Sequence, residues 1–311
     1  MKTIITAAVA LAVMAIGATA WAASPGEAGF KFLDIGTDAR AEGLGGAYTA
    51  AATGVSATYY NPSGMVWSPH GELLATYHNW VDGIQSGFVG GTTRLGEDGR
   101  VGLSIQYLDY GNIDAADASG ESLGDFGASD LAVGISFARM IGSSSSVGVT
   151  GRFITESIDD KSATGLAFDA GLIHKMPDGR TRIGAAVRNA GFQMTTFADG
   201  AKDDLPITFV AGLEHDLRDM PFLVTADVFK PNDDDFGGAL GLEFLAADAF
   251  RLRAGYNSLA GQFDSGSGSD DFAGFRFGAG FVLNTITIDY GYGSMSKLGT
   301  SHRFTLRTNV L

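Results

Sequence analysis

The sequence predicts an all-β chain: a transmembrane up-and-down antiparallel β-barrel of about 14 strands, with an N-terminal segment folded into its lumen as a plug. Three observations carry the prediction. From about His70 to Leu311, short stretches alternate apolar with small or polar residues, the two-residue period of strands with one apolar face. The non-apolar face carries charges of both signs in mid-strand. The connections alternate between tight and long, as expected of a barrel with short periplasmic turns and longer external loops. A soluble β-sandwich also alternates, but it does not explain together the mid-strand charges, the alternating connection lengths and the aromatics clustered near strand ends.

The elements follow in chain order. Residues 1–23 read as a secretory signal peptide: Lys2 supplies the positive region, Ile4 to Ile16 an apolar run, and Ala18-Thr-Ala20 and Ala20-Trp-Ala22 small-x-small cleavage sites. That run is short for a membrane anchor, and no other hydrophobic stretch approaches ~18 residues. Export, cleavage and residence in a bacterial outer membrane are expected. The chain then divides into a plug segment, 24–69, and a barrel, 70–311.

Residues 30 to 67 break the strand rhythm. Gly43, Gly45 and Gly46 allow close backbone approach or positive φ, but they do not fit G-x-G-x-x-G. Asn61-Pro62-Ser63-Gly64 is a turn by its own chemistry. Apolar and small residues without a period point to packing inside the barrel, with Phe30, Phe32, Leu44 and Met65 as apolar lumen candidates. Asp38 and Arg40 either clamp this segment to the wall or line a substrate path; clamping is favoured, because buried charges need partners.

The strands come next. Val101, Leu103, Ile105 and Tyr107 oppose Gly102, Ser104 and Gln106; Leu131, Val133, Ile135 and Phe137 oppose Ala132, Gly134 and Ser136. The expected lumen charges are Arg152, Asp169, Arg182, Arg188, Asp227, Glu243, Arg251, Arg253, Arg276 and Asp289. Neighbouring strands can pair these across a narrow lumen. Tight turns are expected near Gly96 to Arg100, Ile141 to Ser146, Pro177 to Thr181 and Leu283 to Thr285. Long loops are expected over Gly111 to Ala128, Ala190 to Leu205 and Ser258 to Ala273. Trp80, Tyr110, Tyr256 and Tyr292 on the long-loop side, with Phe137, Phe222, Phe250 and Phe281 on the other, suggest two aromatic girdles. Loop acids such as Asp114, Asp117, Glu121, Asp125, Asp233, Asp234, Asp235, Asp264, Asp270 and Asp271 read as solvated tips, since none follows the spacing of a calcium loop. The final strand runs from Arg303 towards Leu311, which suits closure of the barrel.

Composition narrows the function. Glycine accounts for 45 of 311 residues, roughly twice the usual share. The absence of cysteine excludes disulfides and thiolate chemistry. With 21 basic against 35 acidic residues, nucleic acid is not an expected partner. His70, His78, His174, His215 and His302 form no metal-binding spacing, and G-x-S-x-G is absent. Neither an enzyme nor a cofactor or metal is expected.

The string GTDARAEGLGGAYTAAATGVSATYYNPSGM, residues 36–65, resembles the N-terminal signature of the PorV/PorQ family of outer-membrane proteins, which is related to FadL-type fatty-acid transporters. The residues that carry the resemblance are Gly36, Asp38, Ala39, Arg40, Gly43, Gly45, Gly46, Ala47, Tyr48, Asn61, Pro62 and Gly64; Ser63 stands where the family usually has alanine. The resemblance implies a 14-stranded barrel with the N-terminal segment in its lumen. It implies a type IX secretion accessory that binds exported proteins and secretion components. The alternative it implies is a FadL-like channel, in which long-chain fatty acids or another hydrophobic small molecule pass the plug and leave through the wall or into the periplasm. Outer-membrane lipid is a partner in either case.

Overall fold

The computed structural model describes residues 28–310, apart from 82, 118, 199, 201, 218, 248, 260–271 and 296–298. The expected signal peptide, Leu311, Asp264, Asp270 and Asp271 lie outside the described residues.

The strands are β1 (Gly71–Asn79), β2 (Gln85–Leu95), β3 (Gly99–Ala116), β4 (Ser122–Ile141), β5 (Ser145–Ile158), β6 (Lys161–Lys175) and β7 (Thr181–Thr195). They continue as β8 (Thr208–Leu217), β9 (Phe222–Pro231), β10 (Gly237–Ala247), β11 (Phe250–Asn257), β12 (Phe275–Leu283), β13 (Ile286–Ser294) and β14 (Thr300–Val310). Each pairs antiparallel with its sequence neighbours, and β1 pairs with β14 from Gly71↔Val310 to Asn79↔His302. The fold is a closed 14-strand barrel. Closure leaves no strand edge with unsatisfied backbone groups, the condition for a sheet to sit in hydrocarbon.

The alternation sorts the two faces. On β4, Leu131, Val133, Ile135 and Phe137 point outward and are exposed, while Ala132, Ser136 and Ala138 are buried inward. Outward Leu, Ile, Val and Phe recur around the wall, from Leu73 on β1 to Leu306 on β14. A continuous apolar exterior of this kind belongs against lipid, since soluble monomers expose only limited patches.

Several sequence expectations differ from the structure. Asp233 is not a solvated tip: it is buried and ion-paired with Lys31 of the plug (2.9 Å), and residues 190–195 continue β7 instead of opening a loop. Gly111 to Ala128 is not a loop: β3 and β4 continue as a twisted ribbon, with Ile113 paired to Phe126, and turn only at residues 117–121. Its local alternation, Asn112 and Asp114 against Ile113 and Ala115, is the signal for this extension. Trp80 and Tyr110 do not join an outer girdle. Both pack against the cluster around Phe30 and Phe32, where Trp80 Nε1 lies 3.0 Å from Met295 Sδ and Tyr110 donates to Asp130 (2.9 Å). Filling the wide mouth of the lumen, and finding partners for the indole and phenol, outweighs the interfacial preference of these rings. Tyr256, Phe137, Phe250 and Phe281 do face outward.

Residues 28–68 occupy the lumen. They form a 3-10 turn (Lys31–Asp34), helices α1 (Ala39–Gly43) and α2 (Ala57–Tyr60), and a second 3-10 turn (Pro62–Trp67). Local chemistry sets these boundaries. The Asp38 carboxylate caps α1 by accepting from Arg40 N–H (2.8 Å), and Asn61 caps the Pro62–Trp67 turn, where proline needs no N–H partner. The segment begins at the long-loop end, where Gly29 N–H donates to Asp204 O (3.0 Å). It leaves at the short-turn end, where Arg100 donates to Ser68 O (2.6 Å). In between, it bonds to opposite sides of the wall. Gln106 on β3 donates to Phe32 O (3.0 Å), Asn61 donates to Leu172 O on β6 (3.1 Å), and Ala39 N–H donates to Thr305 on β14 (2.9 Å).

This packing accounts for the glycine content. Gly148, Gly171, Gly184, Gly212, Gly241 and Gly255 all face inward where the plug touches the wall. A Cβ on Gly184 would sit 3.0 Å from Thr49 O, and one on Gly255 would overlap the backbone of Leu44 and Gly45. The belt of glycines lets the plug backbone lie directly on the strands. Gly45 itself adopts φ +68 against the Tyr256 backbone, a position few other residues tolerate.

Candidate functional site

The site is the lumen: a plug held by ion pairs, and a cavity beside it. Arg40 grips Glu243 through two bonds of 2.9 Å, and Glu243 also accepts from Arg253 Nε (2.5 Å). Arg253 continues to Asp289 (2.7 Å), so one chain of charges runs from the plug across β10, β11 and β13. Glu42 bridges Arg276 (2.9 Å) and Arg303. Asp38 takes Arg307 (2.7 Å) and the Ser56 hydroxyl. Burial by itself would raise the carboxyls of Asp38 and Glu42. For Asp38, the Arg307 guanidinium, Ser56 and the Arg40 N–H outweigh it; for Glu42, Arg303 and Arg276 do. Both groups are held below the usual carboxylate range, as ionised clamps.

The expected lumen charges divide by partner. Arg152 pairs with Asp169 (2.5 Å), Arg182 with Glu214 (2.6 Å), and Arg253 with Glu243 and Asp289. Arg276 reaches the plug through Glu42. Asp227 holds the plug backbone, accepting from Tyr48 and Thr49 N–H (both 3.0 Å). Arg188 lies over the Tyr59 ring, 5.6 Å from its centroid, and its buried Nε has no hydrogen-bond partner among the described residues. Arg251 departs from expectation: it sits at the short-turn rim, donating to Ala247 O (2.7 Å). The strand ends there, so the inward position no longer faces a filled lumen.

The signature residues meet inside the barrel. Gly36 lies against the Tyr60 hydroxyl and Gly64 against Ala52 O, each with no room for a Cβ. Ala39 and Ala47 are fully buried; Tyr48 is edge-on to Tyr60 at 5.1 Å, with the Arg40 guanidinium over its ring, 5.5 Å from the centroid. Gly43 contacts Gly278 of β12, and Gly46 faces Asn257. Asn61 binds both Thr49 O (3.0 Å) and Leu172 O, beside Pro62, which rests on Gly148. Sequence reasoning missed Glu42, Arg303, Arg307 and Glu72, which accepts from the plug's Val55 N–H (2.8 Å) from its place on β1. Arg303 and Arg307 stand on one face of the final strand, an alternation that was visible; Glu42 lies within the signature string.

Between plug and wall lies a cavity of about 700 Å³. Tyr59, Tyr60, Trp80, Val210 and Phe229 give it apolar surface, and Arg188, Asp227 and Arg303 give it charge. It reaches the long-loop residues Asp234, Leu259 and Met295. Towards the short-turn end, the glycine-seated plug lies across it. No group of His, Asp or Glu side chains among the described residues could hold a metal ion.

The chain matches no protein-family model, and no curated protein matches it. Its fold is similar to that of solved outer-membrane channels. The Pseudomonas putida toluene transporter TodX is 13% identical, covers 88% of this chain and 96% of its own, and has a TM-score of 0.58. The Ralstonia pickettii toluene transporter TbuX is 14% identical over 89% of this chain and 99% of its own, with a TM-score of 0.59. A Pseudomonas aeruginosa FadL homologue is 13% identical over 87% and 97%, with a TM-score of 0.55. At such identities the likeness is one of fold. It is a likeness to FadL-type barrels, and it is silent on the PorV/PorQ relationship.

Proposed function

We propose that the protein is a FadL-like channel of a bacterial outer membrane, taking up a small hydrophobic molecule through its lumen. The carrying observation is the cavity of about 700 Å³ that reaches the long-loop end and stops at an ion-paired plug. Such a space accepts a molecule from outside and holds it until the plug gives way. Its aromatic and aliphatic walls suit an apolar body, while Arg188, seated on Tyr59 with no ion pair among the described residues, suits a polar or anionic end. The fold likeness to toluene transporters and to a FadL homologue supports this reading over the secretion accessory, which rests on the N-terminal resemblance alone.

The test is native mass spectrometry of the protein released gently from its own membrane, paired with uptake of a labelled fatty acid and of toluene by cells that express it. A hydrophobe bound in the wild type, and lost together with uptake in Ser301→Phe, supports the channel; Ser301 lines the cavity. Co-purifying exported proteins with an empty lumen would overturn it in favour of secretion.

A further inference from the structure

Outside the barrel, the apolar wall is not uniform. Across β4 to β8 a trough of about 480 Å³ is cut into the outward face, and every residue lining it is apolar. Its banks are two neighbouring rows of the sheet. One row is Phe137, Val149, Ala170, Val187 and Phe209, each directly paired with the next across a ladder. The other lies two residues nearer the short-turn end: Val147, Leu172 and Ala185, again paired in sequence. The backbone of the inward row Gly148, Gly171 and Ala186 lies between them. Ala170 and Ala185 keep the trough deep where larger side chains would fill it.

The lower row begins at a charge. Arg139 pairs directly with Val147 in the β4–β5 ladder, on the outward face of β4 and next to the 142–144 turn. Its side chain is exposed, and its guanidinium forms no ion pair or hydrogen bond with any described residue. Strands of such barrels tilt by roughly 35–45°, so a row of paired residues climbs obliquely across the membrane. The trough therefore starts at a cation near the short-turn interface and rises towards mid-membrane at Phe209.

We infer that this trough is a binding site for a glycerophospholipid of the short-turn leaflet, with its phosphate at Arg139 and one acyl chain lying between the two rows. Charge complementarity at the interface and an apolar slot at hydrocarbon depth select that occupant. The chain moves from hydrocarbon to hydrocarbon, so packing in the slot and the Arg139–phosphate contact, not water exclusion, hold it. The inference is independent of the channel reading, since the trough lies outside the lumen.

The experiment places the full chain in nanodiscs of equal dipalmitoyl phosphatidylglycerol and dipalmitoyl phosphatidylcholine, then releases it for native mass spectrometry. One retained lipid per barrel is expected, with phosphatidylglycerol favoured about fivefold, the effect of one basic residue beside anionic lipid. The double variant Ala170→Leu/Ala185→Leu, whose side chains face outward and leave the lumen untouched, should lose the retained lipid. Arg139→Gln should keep a lipid but lose the preference. The heat-dependent shift in electrophoretic mobility checks that each variant is a folded barrel. No retained lipid in the wild type, undiminished retention in the filled double variant, or a dimer that the double variant abolishes would each overturn the inference.

Discussion

Glu243→Gln is the sharpest perturbation of the plug. The substitution keeps the shape of the side chain and removes its charge. Glu243 is 3% exposed and, among the described residues, is the sole carboxylate paired with Arg40, which also donates to the Tyr48 hydroxyl at 3.3 Å. Arg253 keeps Asp289 at 2.7 Å, so the loss falls mainly on Arg40. Removing one partner of a buried pair costs about 3–5 kcal/mol, and the Arg40 side chain is 18% exposed, which places the cost at the low end, about 3 kcal/mol. At about 1.4 kcal/mol per tenfold, the population with a displaced plug should rise about a hundredfold. Planar-bilayer recording should show openings more frequent by that order. The double variant Arg40→Met/Glu243→Met should open less often than Glu243→Gln, because replacing both partners leaves no unpaired charge on the plug. A folded Glu243→Gln barrel that opens no more often than the wild type would refute the clamp.

The depressed carboxyls of Asp38 and Glu42 contribute stability that is present at neutral pH and lost as pH falls through their folded values. Openings should thus stay constant from mildly acidic to neutral pH and increase only below about 4; an increase already near pH 6 would point to other groups. Gly255→Val drives a side chain into Leu44 and Gly45 and should cost about 1–3 kcal/mol or more, seen as a lower unfolding temperature. Gly127→Ala, with nothing within 4 Å of its Cβ, should leave that temperature unchanged. Deleting residues 28–67 should raise conductance; unchanged conductance would remove the plugging role.

Much of the barrel was legible because strand alternation is a local property. Leu131 to Phe137 shows its two faces without reference to any neighbour, and mid-strand charges announced an inner face. The plug position was legible from the loss of that rhythm between residues 30 and 67. Partners were less so. Arg188 and Arg152 look alike in sequence and both lie over the Tyr59 ring, yet among the described residues only Arg152 also pairs with a carboxylate, Asp169. Trp80 and Tyr110 stand at strand ends like girdle residues but turn inward, because the plug offers them apolar contacts there.

By itself, then, the sequence determined the class of fold, the approximate strand number, the two faces of the wall and the presence of an inserted segment. These follow from periodicity, composition and turn chemistry, which act over a few residues. The tertiary structure alone decided which charges clamp the plug, why so many glycines face the lumen, and where the inner cavity and the outer trough lie. Those depend on shear and closure, which bring Asp38 to Arg307 and Glu42 to Arg303 across more than two hundred residues of chain. No local pattern encodes that juxtaposition; only the register of all the ladders together does.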